Sequence, residues 1–339
     1  MCGISGYINY EDDLSESFST LKEMCKTLEK RGPDEEGFFF SKHAALGHKR
    51  LSIIDIENGK QPMRFKIFGT DYVIVYNGQL YNTKELREVL EKNGFVFKGH
   101  SDTEILLKSY IHYGENVCKY LNGIFGFAVW NSKTEELFVA RDQFGIKPLY
   151  YSKFSGNFVF ASEIKSILAF PNFKAILDKN GISELFGIGP AHSPGATPFK
   201  GIFELEPAHY MIINKNGIYK KEYWHLETKP HEDNFDTTCD KIRFLIKDSV
   251  ERQLVSDVPL CTLLSGGLDS SIITAIASNY YKKEYGEKLN TFSVDYVDQA
   301  KNFVKNDFQP DLDEKYINLM VEKFRYKSYK NCTRYSRFI

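Results

Sequence analysis

Met1-Cys2-Gly3-Ile4-Ser5-Gly6 opens the chain, and its second residue is the one on which the fold class turns. If Met1 is removed, Cys2 carries a thiol and a free α-amine on one residue, so nucleophile and general base come tethered within bonding reach. An α-amine titrates close to neutral pH, which lets it take the thiol proton as sulfur attacks and return it to a leaving group. A cysteine after an initiator is otherwise an unremarked small residue; its weight comes from the pattern that follows.

The 339 residues allow two or three domains with a substantial core, and a net charge of −1 argues against a nucleic-acid surface. No apolar run reaches the ~18 residues of a spanning helix. Glu11, Asp12 and Asp13 stand where the apolar core of a signal peptide belongs, so a cytoplasmic protein is expected. Six cysteines (Cys2, Cys25, Cys118, Cys239, Cys261, Cys332) lie far apart without a C-x-x-C pair, which speaks against a disulfide framework or a zinc knuckle. Cys25 shares a helical face with Phe18, Leu21 and Leu28 and reads as core.

Val73-Ile74-Val75-Tyr76 reads as a buried strand, and Asn82 as the cap of a helix carrying Leu86, Val89 and Leu90 that ends at Gly94. Ser101 to Glu104 has the spacing of a capping box opening a second helix. Phe125 to Trp130, Leu137 to Arg141, Leu149 to Ser152 and Phe158 to Ala161 are strand-like runs between turn residues, which predicts antiparallel hairpins and layered α+β packing. The polar stretch Glu227 to Thr237 precedes a helix bearing Ile242, Leu245, Ile246, Val250 and Leu254. The organisation expected is a first domain over 2–220, a linker over 221–236, a second domain over 237–323 and an atypical tail over 324–339.

The second domain opens with a strand over Pro259 to Leu264, then Ser265-Gly266-Gly267-Leu268-Asp269-Ser270-Ser271, then a helix through Ile272, Ile273 and Ile276. Two glycines let backbone N–H groups close around an anion, and the helix that follows points its positive end there. Ser265, Ser270 and Ser271 add hydroxyl donors, and Asp269 suits the Mg²⁺ that accompanies a nucleotide phosphate. The Gly-Lys-Ser/Thr of a Walker A loop is missing.

With these stand Arg31-Gly32-Pro33-Asp34, Arg50-Leu51-Ser52-Ile53-Ile54-Asp55, Gln61-Pro62-Met63, Tyr76-Asn77-Gly78, Ser101-Asp102-Thr103-Glu104, Ala140 to Tyr150 (ARDQFGIKPLY) and Ala161-Ser162-Glu163. In number and order these motifs resemble the glutamine-hydrolysing asparagine synthetases, from residue 1 to about 320. The resemblance implies an αββα N-terminal-nucleophile domain of the class II glutamine amidotransferases. A partial α/β parallel-sheet ATP pyrophosphatase domain would follow it. Its substrates would be glutamine, aspartate and ATP, with no nucleic acid and no membrane; a homodimer is compatible with it.

Residue by residue, the resemblance implies that Cys2 attacks the glutamine side-chain amide, with Asn77 and the Gly78 N–H as oxyanion hole. Arg50 would fork onto the α-carboxylate, backbone groups of Leu51 and Ile53 would line the pocket, and Asp102 would pair with the α-ammonium. Such enzymes usually carry Asn-Gly-Glu where this chain has Asn77-Gly78-Gln79, so weaker glutamine binding is expected. Leu264 and Val294 would flank adenosine, residues 265–271 would hold pyrophosphate, and ammonia would displace AMP from β-aspartyl-AMP. Arg141 and Asp142 read as a buried pair within an architectural stretch.

The family's second loop, Ser-Gly-Glu-Gly-x-Asp-Glu, has no counterpart, and residues 324–339 carry five Lys or Arg, five aromatics and no acid. A truncated or frame-shifted end is the expectation, with a nucleic-acid-binding or partner-binding helix as the lesser reading. The alternative to a working synthetase is a remnant that binds or hydrolyses glutamine and makes no asparagine. Relatives that aminate sugars or purine precursors lack the pyrophosphate loop, and a β-lactam-forming relative usually lacks Cys2.

Overall fold

The computed structural model describes residues 1–189, 191–296, 303–307, 311–324 and 327–333. The chain divides into two compact units, Met1–Thr228 and Lys229–Ile339.

The first unit is built on two six-stranded antiparallel sheets. One contains β1 (Gly3–Ile8), β2 (Glu35–Phe40), β3 (Ala44–Arg50), β8 (Tyr150–Phe154), β9 (Asn157–Ala161) and β10 (Phe203–Glu204), in the order β10-β8-β9-β1-β3-β2. The other contains β4 (Met63–Ile67), β5 (Thr70–Leu80), β6 (Gly123–Asn131), β7 (Glu136–Arg141), β11 (His209–Asn214) and β12 (Gly217–Glu222), ordered β12-β11-β7-β6-β5-β4. The hairpin strands expected from sequence are β6 to β9.

Strand β5 shows why the layers stack. Val73 and Val75 point into a core with Ile4, Leu46, Trp130 and Phe160, which joins the two sheets. Ile74 and Tyr76, on the opposite face, pack with Leu86 and Leu90 of α2 (Thr83–Lys92) and Leu106 of α3 (Asp102–Tyr113). Because side chains alternate along a strand, a run apolar at every position is buried on both sides. On the far side of the first sheet, Leu21, Met24 and Cys25 of α1 (Phe18–Lys26) and Ile167 of α4 (Ile164–Leu168) bury against Tyr7, Ala45 and Val159. The unit is therefore the four-layer αββα sandwich of the N-terminal-nucleophile fold.

Three local expectations are corrected. Asn82 occupies the N-cap position of α2, but its side chain makes no cap bond: it donates to Tyr120 C=O and accepts from Asn122 N–H. Ser101 caps α3 through Thr103 N–H, yet Glu104 does not close the box, accepting instead from Lys98 and Gly99 N–H and from Lys108. Arg141 pairs with Glu204 at 2.9 Å rather than with Asp142, whose carboxylate accepts backbone N–H groups of Phe125, Phe144, Ile146 and Lys147.

In the second unit β13 (Cys261–Leu263), β14 (Asn290–Tyr296) and β15 (Lys327–Thr333) pair in parallel, with Leu263, Phe292 and Tyr329 in register. Helix α5 (Lys179–Gly187) belongs to the first unit; α6 (Phe235–Arg252), α7 (Leu268–Tyr285) and α8 (Asp313–Phe324) belong to the second. Strand β15 lies within the stretch read as a tail, of which residues 325–326 and 334–339 fall outside the described residues. Helix α6 buries none of its residues, and Ile242 and Leu245 are 50% and 60% exposed despite their helical spacing.

Candidate active site in the first unit

The register of β1 against β3 sets the site. Gly3 lies opposite Lys49, which brings Cys2, one residue before the strand, beside Arg50 and Leu51, one residue beyond the other. The Leu51 N–H points at Cys2 Sγ at 3.4 Å. Ile4 N–H donates to Ser162 Oγ, and Ser162 N–H returns a bond to Ile4 C=O, so the Ala161-Ser162-Glu163 motif pins β1 from its other flank. Arg31 donates Nε–H to Cys2 C=O at 2.9 Å and is itself held by Glu163 at 3.0 Å. Asn77 lies between the same groups, and the amide orientation that satisfies both, with O and N exchanged, has it donate to Cys2 C=O at 3.1 Å and accept from Arg31 Nη2 at 3.3 Å.

One pocket collects Cys2, Arg50, Leu51, Ile53, Asn77, Gly78, Gln79 and Asp102, together with Met1, Gln61, Tyr76, Thr103 and Lys147. Gly78 lies opposite Phe125 on the β5–β6 ladder, and a Cβ there would meet Ile124 C=O at 2.3 Å and the Tyr76 ring at 2.4 Å. Only glycine leaves that wall intact.

Asp102 is buried at the first turn of α3, where one carboxylate oxygen accepts from Tyr76 Oη–H at 3.0 Å and Leu80 N–H at 3.2 Å. Burial nonetheless pushes its carboxyl above the usual range, the hydrogen bonds opposing this only in part. The Cys2 thiol is likewise raised by burial, with the Leu51 N–H as the leading opposing influence. A resting neutral thiol follows, one that needs a base to become a nucleophile.

Arg50 departs from the role its motif suggests. Its Nη1 donates to Glu35 and Ile56 C=O, and its Nη2 to Ile54 and Asp55 C=O. The fork that the resemblance aims at a carboxylate is filled by the segment forming the pocket rim, which Asp55 also ties to α3 by accepting from His100 and Ser101 N–H. Sequence reasoning also missed Gln61, which accepts from Tyr76 N–H and donates to Tyr76 C=O, and His48, which bonds Tyr76 C=O and is kept neutral by burial, at about 3. Gln61 stood in a motif and His48 in none, and only strand register reveals that both brace the backbone of Tyr76.

In the second unit, the loop after β13 runs from buried Leu264 to Gly267, the N-cap of α7. Gly266 adopts φ +86°, a region glycine enters without strain. Ser265 and Ser270 hydroxyls meet at 3.0 Å, Gly267 N–H donates to Ser265 Oγ, and Ser293 Oγ–H donates to Leu264 C=O. Asp269 is exposed in the first turn of α7, and Val294 is 66% exposed on β14. This is the carboxyl end of a parallel sheet, where open α/β folds place ligands. No group of three His, Cys, Asp or Glu that could hold a metal occurs among the described residues. No helix among them is long and apolar enough to cross a membrane.

Comparison with known proteins agrees with this anatomy. The glutamine amidotransferase domain family matches residues 1–224, and the asparagine synthase family matches residues 241–331. Asparagine synthetase [glutamine-hydrolyzing] 3 of Bacillus subtilis is 48% identical over 96% of this chain and 53% of its own length. Amidase chry2 of Gibberella zeae is 33% identical over 85% of this chain and 44% of its own length. The chain thus spans about half the length of such relatives. Among solved structures, the allosteric regulatory enzyme of purine biosynthesis aligns with TM-score 0.52 at 16% identity, over 98% of this chain and 80% of that one, a likeness of fold. The chain belongs to the glutamine amidotransferase domain family and carries, behind that domain, a segment of the asparagine synthase family.

Proposed function

We propose that the first unit hydrolyses the side-chain amide of glutamine and that the ammonia serves ATP-dependent synthesis of asparagine from aspartate. The observation that carries the first half is the pocket in which Cys2 Sγ lies against Leu51 N–H, beside Asn77 and Gly78 and facing the buried carboxylate of Asp102. In the chain as encoded the Cys2 nitrogen is an amide, so the base arises only when Met1 is removed. Met1 is 57% exposed, which suits that removal.

In the mature site the thiol proton passes to the α-amine as the S–C bond forms. The amide oxygen becomes an oxyanion held by Asn77 Nδ2–H and Gly78 N–H, a pair in which each donor supplies about 3 kcal/mol. The intermediate collapses by breaking the C–N bond, the α-ammonium returning its proton to the leaving nitrogen as ammonia. Water then adds to the thioester, the C–S bond breaks, and glutamate and the thiol are released. Asp102 receives the α-ammonium of the substrate, with Gln79 a neutral neighbour in place of a second carboxylate. Leu51 and Ile53 line the substrate chain, and Arg50 shapes the rim and adds positive charge toward the α-carboxylate.

In the second unit Ser265, Gly266, Gly267, Asp269 and Ser270 hold pyrophosphate, with Leu264 and Val294 beside the adenosine. A single exposed carboxylate fits a Mg²⁺ that keeps most of its coordination to water and substrate phosphates. Asp269 would hold it, and the ion would neutralise phosphate charge.

The test is ammonia release from glutamine, measured beside ATP-dependent asparagine and pyrophosphate formation, with the amino terminus read by mass spectrometry. Cys2→Ser is expected to abolish ammonia release while leaving asparagine formation from added ammonium chloride. Retained Met1 in an active enzyme, or unchanged release from Cys2→Ser, would sink the reading. Ammonia without asparagine would restrict it to the first unit.

A further inference from the structure

The stretch from Arg141 to Tyr150 reads as architecture, and its hydrogen bonds show what the architecture is for. Asp142 accepts the Lys147 N–H at 3.0 Å, and Arg141 donates Nε–H to the Lys147 C=O at 2.8 Å. Arg141 is anchored in turn by Leu205 C=O, Gly145 C=O and Glu204. Lys147 is thus gripped on both sides of its own α-carbon, and a side chain rooted so firmly is aimed.

Its aim is the pocket of Cys2. Lys147 is 7% exposed, and its one hydrogen-bond partner at Nζ among the described residues is the Met1 thioether, at 3.1 Å. A thioether is a weak acceptor and a poor counterpart for a buried ammonium. Removing Met1 takes away even that partner and leaves the freed α-amine of Cys2 close by.

We propose that Lys147 is a positioning residue for the mature amino terminus: its ammonium faces the α-amine and thiol of Cys2, disfavouring a proton on the amine and favouring the thiolate. The inference rests on the glutamine-hydrolysis reading of this pocket. The charged groups facing Cys2 come from four segments. Arg31 lies on the Cys2 carbonyl with its partner Glu163, Asp34 sits beyond it, Arg50 ends β3, and Asp102 begins α3. Glu163 is balanced by Arg31 and Lys165, so Asp34 and Asp102 are the carboxylates that draw a proton toward the site, and Lys147 is the cation placed to oppose them. In the chain that still carries Met1, the Met1 α-amine, one residue before the group at issue, is lowered by burial first and then by Arg31 and Lys147. Lys147 is itself lowered by its burial and by Arg31. A neutral α-amine is the base the thiol needs, and a cation beside it favours that form.

The test is the pH profile of kcat/KM for ammonia release by the full chain, for Lys147→Met and Lys147→Arg. Lys147→Met is expected to move the acid limb up by about one pH unit, lowering kcat/KM about tenfold below that limb. Lys147→Arg is expected to hold the limb in place. Iodoacetamide labelling of Cys2, followed on the amino-terminal peptide by mass spectrometry to separate it from Cys239 and Cys261, should shift upward in pH by the same amount in the Met variant. An unmoved limb and labelling profile in Lys147→Met, or an Arg variant that shifts with it, overturns the assignment. If the unmodified chain releases no ammonia, the functional reading falls, and the labelling arm still decides whether Lys147 tunes Cys2. Should Lys147→Met fail to fold, Lys147→Gln carries both measurements.

Discussion

At the scale of single residues, the site trades stability for recognition, and Asp102 is where the trade is made. Its carboxyl is buried and raised, so the folded protein holds that proton more tightly than the unfolded chain does. Stability from this group is therefore present at low pH. It is lost as pH rises from the unfolded value of about 3.9 through the raised folded value. Asparagine can keep the bonds from Tyr76 Oη–H and Leu80 N–H, since both reach one oxygen. Asp102→Asn is expected to melt at a higher temperature than the unmodified protein at pH 7 to 8, the gap closing near pH 4. Its KM for glutamine should rise roughly 30-fold, about 2 kcal/mol for one charge-assisted bond to the α-ammonium. A variant that loses stability at neutral pH would show that the carboxylate is already compensated.

At the scale of elements, the sequence made β5 to β9 readable because their periodicity is a property of each strand and its two faces. What it hid were side chains whose nearest partners are remote in sequence. Asn82 and Glu104 sit at cap positions, yet Tyr120 and Asn122 take the one, and Lys98, Gly99 and Lys108 the other. Arg50 was legible as a pocket residue but not as the clasp of residues 54–56, since the four acceptors assemble only when β3 ends and the chain turns back over it. The two roles differ in what Arg50→Lys should do. A lysine keeps the charge but cannot serve four acceptors, so the protein is expected to lose about 3 kcal/mol of stability together with glutamine affinity. An unchanged melting temperature with a raised KM would return Arg50 to substrate binding alone. Lys147 lay in plain view within a motif, and only its backbone bonds to Arg141 and Asp142 disclose where it points.

At the scale of the whole chain, the two units are unequal in what holds them together. The first has three apolar clusters, two flanked by helices and one between the sheets, with Trp130, Phe125, Phe127 and Phe160 fully enclosed. Among its described residues the second has two small ones, Leu254 with Ala277 and Leu289, and Leu264 with Ile317. It leaves Phe244, Leu245, Leu263 and Leu268 more than half exposed. Burial of apolar area is the main stabilising contribution, at ~25 cal/mol per Å², so the second unit should open first on heating. Calorimetry is expected to resolve two transitions, and limited proteolysis near residues 229–234, where the chain has no regular structure, should yield an amino-terminal fragment. All the residues assigned to glutamine lie within that fragment, so its ammonia release should match that of the intact chain per mole of protein. A single cooperative transition, or a fragment that unfolds once cut, would mean that the sandwich depends on the residues behind it.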